Sequence, residues 1–157
     1  MKNLFVKILI GLLLSNSFLV AFDKKDIRFL KTFKEASKIY AVELRLLLAI
    51  AKSESEFNPK AINKNAKGSI DRGIMQVNSW WIEKLRKYDR KANIEQALYD
   101  PHYNIKVGAW ILQQCVRKFG HTWRAVDCYN KGAKKARSSS RYVYTVWENY
   151  KKIPNDL

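Results

Sequence analysis

Between Leu44 and Ala51 only Arg45 interrupts an apolar run, and that run carries Leu46, Leu47, Leu48, Ile50 and Ala51 to within three residues of an acid, Glu54. Glu43 before it and Lys52 and Ser53 after it mark its polar ends. So uniform a run predicts a helix over 42–55 that is buried on most sides, around which the rest of the chain must pack. Glu54 then stands where a core helix gives way to an open edge. Asn58-Pro59 closes the segment, because proline disfavours helical geometry at the residue before it and supplies no amide donor.

A second acid, Asp71, follows 17 positions after Glu54, past Asn58, Asn63, Lys64, Asn65, Lys67, Gly68 and Ser69. The stretch from Asn58 to Gly73 is turn-like and predicts a short β-hairpin, the one place where strand content is expected. A carboxyl at the end of an apolar helix is set up to keep its proton, while one among hydrogen-bonding side chains is set up to stay ionised. Two carboxyl groups in unlike surroundings are what acid-assisted cleavage of a glycosidic bond needs. The plainer alternatives are a surface acid at a helix end for Glu54 and a turn residue for Asp71. Glu56, Asp89, Asp100 and Asp127 read as surface or capping acids.

The remaining segments read as helices. Ile27, Leu30, Phe33, Ala36 and Ile39 recur every three positions and predict an amphipathic helix over 24–40 with a lysine-rich outer face. After Gly73-Ile74-Met75-Gln76 the chain re-enters the core, and Ser79 is placed to cap a helix carrying Trp80, Ile82 and Leu85. Asp100-Pro101 sets a capping side chain before a proline at the first helical position, opening a helix to about Lys118 that stops at Gly120. Tyr103, Val107, Trp110, Ile111 and Gln114 step along one face of it. Thr122 caps a shorter helix carrying Trp123, Val126 and Tyr129 and closing at Gly132. Residues 131–141, with Lys131, Lys134, Lys135, Arg137 and Arg141, form a basic loop expected to be mobile. Val143, Val146 and Trp147 mark a last helix over 142–150.

Residues 1–22 differ from the rest: Lys2 and Lys7 flank a short apolar stretch that ends before Asp23, which reads as a secretory leader with a cleavage position at Ala21. An uncleaved membrane anchor is the competing reading, although the stretch falls short of the roughly 20 apolar residues of a comfortable span. Residues 23–157 then make one domain, and a monomer is expected. Removing residues 1–22 takes away two lysines and no acid, so the net charge falls from +16 to +14 and the basicity belongs to the domain. An exported cationic protein seeks a polyanion, and the location favours a carboxylate-bearing wall polymer over nucleic acid. Cys115 and Cys128 lie 13 positions apart, a spacing that permits one disulfide between consecutive helices and equally two buried thiols. Only His102 and His121 are available beside them, too few for a zinc cluster, and neither metal nor cofactor is implied.

Four stretches taken in order carry a resemblance: Glu54-Ser55-Glu56-Phe57-Asn58-Pro59, Gly73-Ile74-Met75-Gln76, Tyr129-Asn130-Lys131-Gly132, and Tyr142-Val143 with Val146. In order and gaps they look like the catalytic domain of the soluble lytic transglycosylases over roughly residues 26–150, and most resemble the small secretion-associated members. Asp100-Pro101, Asn104-Ile105 and Gly108-Ala109-Trp110-Ile111-Leu112 support that placement. Lys131 departs from the family's usual alanine. A second resemblance overlaps the first: Gly68 to Ser79, with Trp80-Trp81 after it, looks like the hairpin of c-type lysozymes, whose acid and nucleophile are spaced like Glu54 and Asp71.

These resemblances imply a predominantly α, lysozyme-like (α+β) domain with a short β-hairpin beside the active-site cleft. They imply an enzyme that cuts the β-1,4 bond between N-acetylmuramic acid and N-acetylglucosamine in peptidoglycan and closes a 1,6-anhydro ring. Glu54 is then the general acid, and Asp71 the stabilising anion. Gln76, Asn130 and Tyr142 would hold the sugar and orient Glu54, while Trp80 and Trp81 would offer flat faces to sugar rings. The expected partners are glycan strands and a component of a secretion apparatus. Three other readings stand beside this one: a hydrolytic muramidase with Asp71 as nucleophile, a non-catalytic wall-binding assembly protein, and a cationic membrane-disrupting protein.

Overall fold

The computed structural model describes residues 28–89 and 93–157, so the leader expected over 1–22 lies outside the described residues. Helix α1, Leu30–Tyr40, buries Phe33 and Ala36. Ile39, expected on the same face, is instead 62% exposed. A strict three-residue repeat slips backwards by about 60° per step around a helix of 3.6 residues per turn, so one face cannot hold all four positions from Leu30 to Ile39.

Helix α2, Leu44–Ser55, is the centre of the molecule, with five consecutive residues, Leu47 to Ala51, buried. It packs against α1 and against α7, Arg141–Lys152, the last helix of the chain. Its end is set before Pro59 exerts any effect. Glu56 turns left-handed at φ 52 and returns its N–H to the carbonyl of Lys52, and Phe57 follows at φ 63. The hydroxyl of Ser55 donates to the carbonyl of Ile74 at 2.7 Å, tying the helix end to the returning chain.

The turn-like stretch holds β1, Ile62–Lys64, and β2, Ile70–Arg72. A third strand, β3, Val77–Asn78, extends the expected hairpin into an antiparallel sheet of order β1-β2-β3. Asn63 pairs with Asp71 and Asp71 with Asn78, which aligns the three across the sheet. A 3-10 turn, Ser79–Trp81, leads into α3, Ile82–Arg86. The cap there is Asn78, whose side-chain oxygen accepts from the N–H of Trp80; Ser79, the expected cap, accepts from the N–H of Ile70 and so serves the sheet. Helix α4, Ile94–Ala97, capped by Asn93, lacks a counterpart in the sequence reading.

Helix α5, Pro101–Phe119, begins and ends as expected: the Asp100 carboxylate accepts from the N–H of His102, and Gly120 stops the helix at φ 68. Its deepest face overlaps that row only in part. Val107 and Ile111 are buried, but Tyr103, Trp110 and Gln114 are only half-buried, while Asn104, Ile105, Gly108, Ala109 and Leu112 are enclosed. The helix contacts α1, β3 and α6, Trp123–Lys131, so more than one face is covered. Gly108 is where the Ile74-Met75 segment crosses: a Cβ there would meet that of Met75 at 2.7 Å. Asn104, fully buried, accepts from the N–H of Met75 at 2.9 Å and donates to the carbonyls of Arg72 and Leu98. One amide thereby fastens the end of β2 to the core.

Thr122 precedes α6 without capping it; its hydroxyl donates to Phe119. The sulfurs of Cys115 and Cys128 are bonded, joining α5 to α6. Ser140 caps α7 by accepting from the N–H of Val143. The basic segment between α6 and α7 is held along its length, by Arg124 at the Ala136 carbonyl and by Asp127 at Arg137 and Ser140. No described helix is long and apolar enough to cross a membrane.

Candidate active site

The last turn of α2 places Glu54 on the wall of a cleft of about 880 Å³, which Asp71, Gln76, Trp80, Trp81 and Asn130 also line. The expected site residues therefore converge, except that Tyr142 reaches the cleft only through Glu54. Its phenol donates to Oε1 at 2.5 Å. Burial pushes the Glu54 carboxyl up to about 7; the bond from Tyr142 opposes that shift, and the charge of Asp71 adds to it. A second phenol, Tyr129, lies against the same pair, where burial and the charges of Glu54 and Asp71 hold its own pKa well above 10. It donates to the carbonyl of Met75 at 2.7 Å. An acid poised near neutrality can give up a proton at one step and recover it at the next.

Asp71, on β2, lies in different company. The side-chain N–H groups of Asn63 and Asn65 donate to Oδ2 at 3.2 and 2.9 Å, and that of Asn78 donates to Oδ1 at 2.6 Å. Three amide donors suit a carboxylate that only accepts. The sequence reading set Asp71 among the hydrogen-bonding side chains of the turn-like stretch, Asn63 and Asn65 included, but did not identify the cradle or Asn78's part in it. The alignment of Asn63 and Asn78 opposite Asp71 requires the strand register, which no local pattern supplies. Asn78 also caps the turn carrying Trp80, so a single side chain sets both the anion and the aromatic ring beside it.

Gln76 enters the cleft at φ 47, and its amide N–H groups are taken up by the carbonyls of Ala61 and Gly73. Gln76 thus spends its donors on the backbone, and of the three residues expected to orient Glu54 it is Tyr142 that bonds the acid. Glu56, Phe57 and Gln76 are three of the four non-glycine residues with positive φ among the described residues; Gln76 lines the cleft, and the other two follow Glu54 within three positions. Such strain concentrates where a site dictates the backbone. Trp80 is 76% exposed, whereas Trp81 is half-buried, edge-on to Trp110. The two tryptophans thus divide into a free face and a supported one. Asn130 is exposed at the end of α6. Lys131 lines the cleft nearby, and its ammonium is engaged by Asp127 at 3.0 Å. Asp127, read as a surface or capping acid, is fully buried. Among the described residues no group of three or more His, Cys, Asp or Glu side chains could hold a metal.

Residues 31–151 match the transglycosylase SLT domain family. The chain belongs to that family. Among its relatives are the invasion protein IagB of Salmonella typhimurium, 40% identical over 121 residues that cover 76% of this chain and 74% of that one, and protein IpgF of Shigella flexneri, 34% identical over 123 residues covering 76% and 78%. Among solved structures, the 70 kDa soluble lytic transglycosylase of Escherichia coli aligns with a TM-score of 0.57 at 26% identity, over 77% of this chain and 18% of that one. Lytic transglycosylase Slt of Pseudomonas aeruginosa, solved as an inactive glutamate-to-glutamine mutant, gives 0.59 at 26% identity over 84% and 22%. The chain spans about a fifth of the length of those two enzymes, and the part it shares has the lysozyme-like fold of an SLT domain.

Proposed function

We propose that this SLT-family enzyme is exported and cleaves the β-1,4 bond between N-acetylmuramic acid and N-acetylglucosamine in peptidoglycan without water. The observation that carries the reading is Glu54: a single carboxyl, sheltered enough to hold a proton near neutrality, aligned by Tyr142 and open to a cleft wide enough for sugar rings. Protonated Glu54 donates to the glycosidic oxygen as the bond from C1 of the muramic sugar breaks. Asp71, held by its asparagine cradle, faces the positive charge that develops on the ring. The Glu54 carboxylate then takes the proton of the C6 hydroxyl while that oxygen bonds to C1. The proton lost to the leaving oxygen is replaced by the one from the C6 hydroxyl, so the product is a 1,6-anhydro ring and the enzyme is restored.

Lys67, Lys84, Lys131 and Lys135 line the same cleft and suit a polymer that carries peptide carboxylates. An invasion protein among the relatives supports local opening of the wall for a transport apparatus. The cradle around Asp71 favours one other reading, a muramidase in which this anion forms a covalent sugar intermediate that water resolves. Mass spectrometry of a sacculus digest separates the two. Muramic ends lighter by one water are expected, and reducing ends alone would overturn the transglycosylase reading. Glu54→Gln is expected to abolish digestion with the fold retained; digestion at the normal rate would leave a wall-binding role.

A further inference from the structure

The mechanism above makes no use of Asp127, yet this carboxylate is fully buried and is bonded from three points along the chain. Lys131, four residues on, places its ammonium 3.0 Å away. The backbone N–H of Arg137 donates to Oδ2 at 2.8 Å, and the hydroxyl of Ser140 donates to Oδ1 at 2.6 Å. The same Ser140 oxygen accepts from the N–H of Val143 and so starts α7. Two residues beyond Ser140, Tyr142 reaches Glu54. A carboxylate on α6 therefore fixes where the helix carrying the acid's hydrogen-bond donor begins. A burial this complete is not required for a surface loop. Removing the acceptor would take the partner from the Arg137 N–H, the Ser140 hydroxyl and the Lys131 ammonium at once.

We infer that Asp127 is a positioning residue for the acid, holding residues 137–140 and the first turn of α7 so that the Tyr142 phenol meets Glu54. The role rests on the assignment of Glu54 as the acid. Burial pushes the Asp127 carboxyl up, but the bonds from Ser140, Arg137 and Lys131 outweigh it and hold the group below the usual carboxylate range. The clamp is therefore anionic wherever Glu54 works. Lys131, the residue that departs from the family's alanine, is the side-chain cation paired with it. The departure places a charge near the cleft and satisfies a buried acid in the same step.

The test compares the intact chain with Glu54→Gln, Tyr142→Phe, Asp127→Asn and the Tyr142→Phe/Asp127→Asn double variant on a soluble peptidoglycan oligosaccharide, with circular dichroism to confirm folding. Asp127→Asn is expected to lower kcat by about tenfold or more with KM little changed, because the donor is misplaced and the binding walls are not. Its alkaline limb should move to higher pH together with that of Tyr142→Phe, since either change removes the bond that opposes proton retention at Glu54. The double variant should be no slower than Tyr142→Phe alone. Should Asp127→Asn fail to fold, Ser140→Ala takes its place, with the same direction and the same lack of additivity expected. With Glu54→Gln inactive, a normal rate or a multiplicative loss in either variant overturns the positioning role. An active Glu54→Gln overturns the acid assignment instead.

Discussion

Tyr142 donates its phenolic proton to Glu54 at 2.5 Å across 88 positions of sequence, from the first turn of α7 to the last turn of α2. Because α2 and α7 pack along one another, the bond is backed by the largest helix pairing in the core rather than by a loop. Burial raises the acid's pKa and the phenol trims the rise, leaving the group near 7.

Activity should follow the protonated fraction of that acid. kcat/KM is expected to fall as pH climbs through about 7, and a profile taken with a soluble glycan substrate checks it. Tyr142→Phe should shift the fall to higher pH while lowering the maximum, because the ring still packs but no longer donates.

Stability carries the same signature with a defined sign. Glu54 titrates at about 7 when folded against an ordinary value of 4.5. Between those values the folded chain binds more protons than the unfolded one, so stability declines as pH rises across that window and is level above it. Glu54→Gln removes the penalty. Its melting temperature should match the parent's at pH 4 and exceed it at pH 8, by up to about 3 kcal/mol of stability.

Asn78 joins the anion to the aromatic ring. Asn78→Ala removes one donor from Asp71 and the cap over Trp80, costing about 1 kcal/mol of stability from the cap alone. Turnover should fall further than binding does, since the anion's alignment matters most when charge develops. Steady-state kinetics with a denaturant melt on the same preparation separates the two effects.

Gly73 and Asn104 interlock. A Cβ at Gly73 would lie 2.5 Å from the Asn104 amide, at a φ of +75. Gly73→Ala is therefore expected to cost more than the 1–3 kcal/mol or so of a strained backbone position alone. Asn104→Leu leaves the Met75 amide and the Arg72 and Leu98 carbonyls unsatisfied in the core, at roughly 2–4 kcal/mol. Urea unfolding measures both.

The Cys115–Cys128 bond joins α6, which bears Asn130 and Asp127, to α5. Reduction should cost about 3 kcal/mol through the restored freedom of the closed loop. Melting with and without reductant checks it, and activity should be the more sensitive property because α6 forms one cleft wall.

Local chemistry made much of this protein legible. The apolar run before Glu54, the Asp100-Pro101 start, the stops at Gly120 and Gly132 and the order of the family motifs each follow from the habits of a few neighbouring residues, and six of the residues singled out line one cleft. Ile39 was misplaced because a three-residue repeat was read as a face, and β3 was missed because two residues make too short a pattern. What the tertiary structure alone decided is the surroundings of each acid. Asn63 and Asn78 reach Asp71 only through strand register, Tyr142 reaches Glu54 only through the pairing of two helices, and Asp127 is enclosed only because the chain folds back over it. The environment of a carboxyl group is the sum of atoms brought from distant parts of the chain, and no window of neighbouring residues contains that sum.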